Sequence, residues 1–127
     1  MNDRTTSVSE LGERVEQFVA ERQWAGFHSP KNLAMSIAIE AAELMEHFQW
    51  LSVDESREVA TDARRRGAAA EELADVVCYA LAMARALGID LTTAVVDKMA
   101  KNALKYPADE YRGRYGPDDP AAPAPKS

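Results

Sequence analysis

Apolar residues recur along this chain every three or four positions, a pattern that predicts helices, and no strand signal competes with them. The first helix is expected from about Val8 to Arg22, carried by Leu11, Val15, Phe18 and Val19, with Ser7 or Ser9 as its N-cap. Gly26 and the Ser29-Pro30 pair punctuate a loop from Trp24 to Pro30. Pro30 suits the first turn of a second helix, which runs through Leu33, Ile37, Leu44, Met45 and Phe48 to about Leu51. Ser52-Val53-Asp54-Glu55 has capping-box spacing and opens a third stretch, charged from Glu55 to Arg66 and apolar from Leu73 to Leu87. One long helix is expected there, with any kink or interruption at Gly67. Gly88 ends it as a C-cap, and a fourth helix spans about Leu91 to Tyr106, through Ala94, Val95, Met99, Ala103 and Leu104, stopping before Pro107. The expected fold is an all-α, four-helix bundle formed by residues 1–112. The Pro- and Ala-rich stretch 113–127 is expected to be a disordered tail.

Leu33, Met35, Ile37, Ile39, Leu44 and Met45 surround too much of the second helix to face a single neighbour. A second copy of the chain is expected to cover the surplus, so the bundle should be oligomeric. At 127 residues and 46% hydrophobic, the chain is one ordinary domain rather than a disordered segment. Its net charge of −6, from 21 acidic and 15 basic residues, argues against a general nucleic-acid binder. The one cysteine, Cys78, has no internal disulfide partner and is expected to be a small core residue. No uninterrupted apolar stretch reaches the ~18 residues of a membrane span, and MNDRTTSVSE lacks a signal-peptide apolar region. A cytoplasmic protein without a membrane partner is expected.

Four acids interrupt the apolar runs. Glu40 and Glu43 stand in IEAAELMEHF, and Glu72 and Asp75 in EELADVVCYA. Residues three apart share a helix face, so each pair projects both carboxylates the same way. If the two helices face each other, four acids converge. Their repulsion and lost hydration call for shared protons or a bound cation. An all-oxygen donor set suits a hard divalent ion, Mg²⁺ above all and Mn²⁺ as a substitute, and Mg²⁺ tends to bring phosphates with it. Glu71 reads as a solvent-side charge, whereas Tyr79 continues the Glu72–Asp75 face.

Further donors lie on the fourth helix. Lys98 and Asn102 are four apart, with Tyr106 on the same stripe, and together they suit phosphate oxygens that a metal leaves unneutralised. Lys101 and Lys105 read as surface charges. Trp24 in the loop and Trp50 near the end of the second helix flank the carboxylates. An aromatic so placed can stack a nucleobase, although a partly buried core or interface role is the plain alternative. His28, beside Phe27 in the same loop, can hydrogen-bond a base or phosphate or simply cap the loop. His47 follows Glu43 by four positions and reads as a boundary histidine. No Glu-x-x-His occurs, which disfavours a ferritin-like di-iron site. A Gly-x-Ser-x-Gly elbow and a phosphate-binding Gly-x-x-x-x-Gly-Lys-Ser/Thr loop are also absent.

In order, ERQWAGFHSPKNLAMSIAIEAAELMEHFQW, EELADVVCYALAMA and DKMAKNALKYP resemble the all-α nucleotide pyrophosphohydrolases, the MazG-like superfamily, and within it the single-domain dCTP pyrophosphatase branch. The resemblance spans about Phe18 to Tyr115. It implies hydrolysis of a nucleoside triphosphate, dCTP or a modified pyrimidine analogue, to the monophosphate and pyrophosphate. It also implies Mg²⁺ ligation by Glu40, Glu43, Glu72 and Asp75, and phosphate contacts from Lys98 and Asn102 with Tyr106 following. Trp24, His28 and Trp50 fall where that branch lines its base pocket, and Tyr79 where it lines the nucleotide site. A homotetramer built as a pair of dimers is implied as well. Relatives in the branch can carry a histidine about nine residues before the loop tryptophan, where this chain has Val15. The arginine-rich stretch Arg57, Arg64, Arg65 and Arg66 is a second departure. The rival readings are a non-catalytic regulatory module on the same fold and a pyrophosphohydrolase of another nucleotide, such as phosphoribosyl-ATP.

Overall fold

Six α-helices and two 3₁₀ turns form among the described residues, 1–114 and Asp119, of a computed structural model, with no strand among them. They are α1 (Val8–Glu21), α2 (Pro30–Glu46), α3 (Val53–Glu58), α4 (Ala63–Ala86), α5 (Leu91–Lys105) and α6 (Ala108–Tyr111). The all-α expectation is met by four long helices and two short ones. Apart from Gly113, Arg114 and Asp119, the expected tail lies outside the described residues.

Local chemistry sets the helix ends. Ser7 caps α1, its hydroxyl accepting from the Glu10 N–H while Glu10 accepts from the Ser7 N–H, a reciprocal box. Ser29 caps α2 by accepting from Asn32 N–H at 3.2 Å, with Pro30 in the first turn. The expected continuation of α2 to Leu51 does not occur. His47 N–H already bonds back three residues to Leu44, Phe48 and Gln49 both donate to Met45 O, and the ladder tightens and ends. Ser52 is then extended (φ −69°, ψ 166°) and boxed with Glu55, which commits it to starting α3.

The break in the third stretch also falls elsewhere than expected. Gly67 lies inside an unbroken α4, while the interruption sits at the 3₁₀ turn Val59–Thr61. Asp62 leaves helical geometry (φ −101°, ψ 104°), and its carboxylate accepts from Arg65 N–H at 3.1 Å to start α4. A carboxylate at an N-cap outweighs the mild helix-weakening effect of a glycine, so the cap decides the boundary. The other end of α4 closes as expected. Gly88 takes a left-handed φ of 64°, Gly88 N–H reaches Arg85 O, and Ile89 N–H reaches Ala84 O.

The chain divides into two compact units, Met1–Asp90 and the part from Leu91 onward. In the first, α4 is the central element, with α2 lying along it and α1 packed against it as well. Leu33 of α2, Val59 of the 3₁₀ turn, and Leu81 and Ala84 of α4 form the buried core. Met35, Ile39 and Met45 of α2 and Leu73 of α4 each remain more than half exposed. In the second unit, α5 ends where Pro107 lacks the N–H needed to continue, and Tyr106 N–H closes onto Asn102 O at 2.8 Å. The short α6, not expected from the pattern, brings Tyr111 edge-on to Tyr106 with ring centres 5.3 Å apart. No single helix among the described residues is long and apolar enough to cross a membrane.

Candidate metal centre

The packing of α2 along α4 turns the two acidic faces toward each other. Glu40, Glu43 and Glu72 each bring a carboxylate oxygen within 4.8 Å of the others. Glu40 and Glu72 are half-buried, and the Oε2 atoms of both are sealed from solvent without a hydrogen-bond partner. A buried carboxylate oxygen left unpaired is costly, so the cluster needs a proton or a cation. Burial foremost, then hydrogen bonding with Glu43 and the charges of Glu43 and Asp75, push Glu40 up to about 7. Burial, again first, and then Glu43 hold Glu72 above the usual carboxylate range, with the charge of Asp75 adding to the effect. Asp75 itself is exposed and stands outside the trio, yet its charge is felt by both half-buried acids. The structure thus brings three of the four predicted acids together and places the fourth one turn along α4.

Asp75 also joins a cavity of about 260 Å³ lined by Val15, Phe18, Val19, Trp24, His28, Cys78 and Tyr79. Its aromatic edge is set by the loop. Gln23 adopts a left-handed φ of 55° after α1, and Trp24 N–H folds back onto Val19 O at 3.0 Å. That reversal seats the indole edge-on against Phe18, with ring centres 5.9 Å apart. His28 ends the Ala25–Phe27 3₁₀ turn, with its ring 6.1 Å from that of Tyr79. A second cavity of about 240 Å³ lies beyond Val15, Val19 and His28, where the Arg85–Glu16 ion pair forms part of the wall.

Cys78 and Trp50 lie elsewhere than the sequence suggested, and His47, at the helix boundary as expected, has a neighbour that the sequence reading did not name. Cys78, expected in the core, is exposed and lines the larger cavity, because its position on α4 falls between the carboxylate face and the α1 side. Burial, then the Asp75 charge, push its thiol up. Trp50 is 86% exposed in the turn after α2 and does not line the Trp24–Tyr79 cavity. His47, read as a boundary residue, lies with Nε2 4.0 Å from Glu72 Oε1. Its four-residue spacing from Glu43 was the only sequence signal for this. Lys98, Asn102 and Tyr106 belong to the second unit, where α5 carries the first two one turn apart and Tyr106 follows its end.

An all-α protein with a carboxylate cluster between two helices and an aromatic cavity beside it is the class that fold and site define. The family model described as MazG-like matches residues 35–115, and the chain belongs to that family. The chain is 42% identical over 92 residues to human (Homo sapiens) dCTP pyrophosphatase 1, a match covering 72% of this chain and 54% of that protein. The rat (Rattus norvegicus) dCTP pyrophosphatase 1 is also 42% identical, over 97 residues, covering 76% of this chain and 57% of that protein. The chain therefore spans little more than half the length of these relatives. Among solved structures, a pyrophosphatase from Archaeoglobus fulgidus superposes with a TM-score of 0.74 at 44% identity, covering 84% of this chain and 98% of that one.

Proposed function

We propose that this protein is a divalent-cation-dependent nucleoside triphosphate pyrophosphohydrolase, taking dCTP or a modified pyrimidine analogue to the monophosphate and pyrophosphate. The observation that carries the reading is the pair of buried, unpartnered carboxylate oxygens of Glu40 and Glu72, close to Glu43 and one turn from an aromatic cavity. The names of the relatives support the reaction and the substrate class. The donor set fits a hard cation: every contributing atom is a carboxylate oxygen, and the Oε2 atoms of Glu40 and Glu72 have no hydrogen-bond partner. Glu40, Glu43 and Glu72 would hold Mg²⁺ or Mn²⁺, with Asp75 completing the set. When bound, such an ion offsets triphosphate charge and acidifies coordinated water.

The remaining tasks fall to the chain's own groups. Trp24, His28 and Tyr79 all line the 260 Å³ cavity, where the aromatic rings would stack a base and His28 would supply a polar contact. Lys98 and Asn102, on α5 of the second unit, are donors of the kind that suits phosphate oxygens. A carboxylate oxygen of the cluster not engaged with the cation takes the proton of the attacking water. The exposed Met35, Ile39, Met45 and Leu73 support a homo-oligomer, a tetramer by family likeness and a dimer as the smaller alternative. In that assembly Trp50 would complete a neighbouring copy's base pocket. A panel of nucleoside triphosphates assayed for pyrophosphate release, with light scattering on the same sample, tests the reading. Turnover is expected to require the cation and to be fastest for deoxycytidine nucleotides. No turnover of any triphosphate, or full activity in a monodisperse 14.0 kDa species, would reject the enzyme and the shared-pocket reading respectively.

A further inference from the structure

The two oxygens of Glu72 face different surroundings. Oε2 is sealed from solvent without a hydrogen-bond partner, whereas Oε1 lies 4.0 Å from Nε2 of His47. His47 occupies the C-cap of α2, one turn beyond Glu43, and its backbone is held there by the bond from its N–H to Leu44 O at 3.2 Å. No imidazole nitrogen belongs to the group of atoms within 4.8 Å of one another, which is formed by Glu40, Glu43 and Glu72. His47 therefore stands behind the centre rather than in it.

We propose that His47 is a positioning residue for the carboxylate centre: its ring N–H holds Oε1 of Glu72 and leaves Oε2 for the cation. The inference rests on the metal-site reading above and goes beyond it by adding a residue outside the four acids. A modest rotation of either side chain shortens the 4.0 Å separation to hydrogen-bond length, and both are free enough to make it, being 37% and 23% exposed. A partner behind a ligating carboxylate fixes which lone pair points at the ion, so the site does not spend binding free energy on orienting Glu72. Without it, Glu72 is free to turn Oε1 inward or to swing toward solvent.

The test is direct Mn²⁺ binding to the full chain without nucleotide, followed by electron paramagnetic resonance of free Mn²⁺, in wild type, His47→Leu and His47→Gln. His47→Leu is expected to weaken Mn²⁺ binding by ~10-fold or more, the scale typical of partners behind metal ligands. His47→Gln keeps an N–H donor of similar reach and should bind close to wild type. At saturating cation, both variants should keep the wild-type KM for nucleotide, which separates the effect from damage to the base cavity. Unchanged or tighter Mn²⁺ binding in His47→Leu overturns the proposal. Equal loss in both variants assigns His47 to packing at the helix end and overturns it too. Absence of Mn²⁺ binding in the wild type removes the centre itself, a result distinguishable from failure of the His47 role alone.

Discussion

Proton release on cation binding follows from the position of Glu40. Its folded-state value of about 7, set mainly by burial and by Glu43 and Asp75, means that near pH 7 about half of the metal-free molecules carry a proton there. A cation must displace that proton to use the oxygen. Binding at pH 7 should therefore release about half a proton from Glu40, rising toward one near pH 6 and falling to about a tenth near pH 8. Isothermal titration calorimetry of Mg²⁺ or Mn²⁺ in buffers of different ionisation enthalpy counts the protons. The sign for stability agrees with this. A carboxyl raised above its unfolded value of 4.5 contributes stability below that pH, and the contribution disappears as pH rises through about 7. Metal-free protein should thus melt at falling temperature between pH 5 and 8, whereas Glu40→Gln or saturating cation should flatten the slope. Cation binding at pH 6 to 7 without proton release, or an unchanged slope in Glu40→Gln, would refute the assignment of these acids to one coupled cluster.

Three further outcomes are expected. Glu40→Gln and Asp75→Asn should each lower pyrophosphate release by at least ~100-fold while circular dichroism stays helical, and full activity in either would remove that acid from the site. Trp24→Ala should raise KM by roughly 5- to 150-fold, the equivalent of ~1–3 kcal/mol of base stacking, with kcat little changed; an unaltered KM for the best substrate would take Trp24 out of the base pocket. Gly67→Ala should stabilise the protein by ~1 kcal/mol and raise Tm by about 3–5 °C, because a Cβ there meets no atom within 4 Å in an unbroken helix; a lower Tm would show that something covers that side of α4.

Much of the local structure was legible in the residues. Capping depends on a few adjacent side chains, so Ser52 with Glu55 and Gly88 with its left-handed φ could be read without tertiary information. The same held for the shared faces of Glu40 with Glu43 and Glu72 with Asp75, since helix geometry alone puts residues three apart together. The break at Asp62 was also a local cap, but Gly67 was the more conspicuous helix weakener in the sequence.

Only the tertiary structure decided which of these faces meet. Packing of α2 along α4 closed Glu40, Glu43 and Glu72 into one cluster, left Asp75 at the cavity edge and carried Glu72 to within 4.0 Å of His47. It also turned Cys78 into a cavity rather than the core, and left Trp50 in the open. The physical reason is range. A helix cap or face is fixed by neighbours in the chain. The surroundings of a side chain at a helix boundary depend on the angle and register at which a distant helix arrives, and a single chain's periodicity does not encode these legibly.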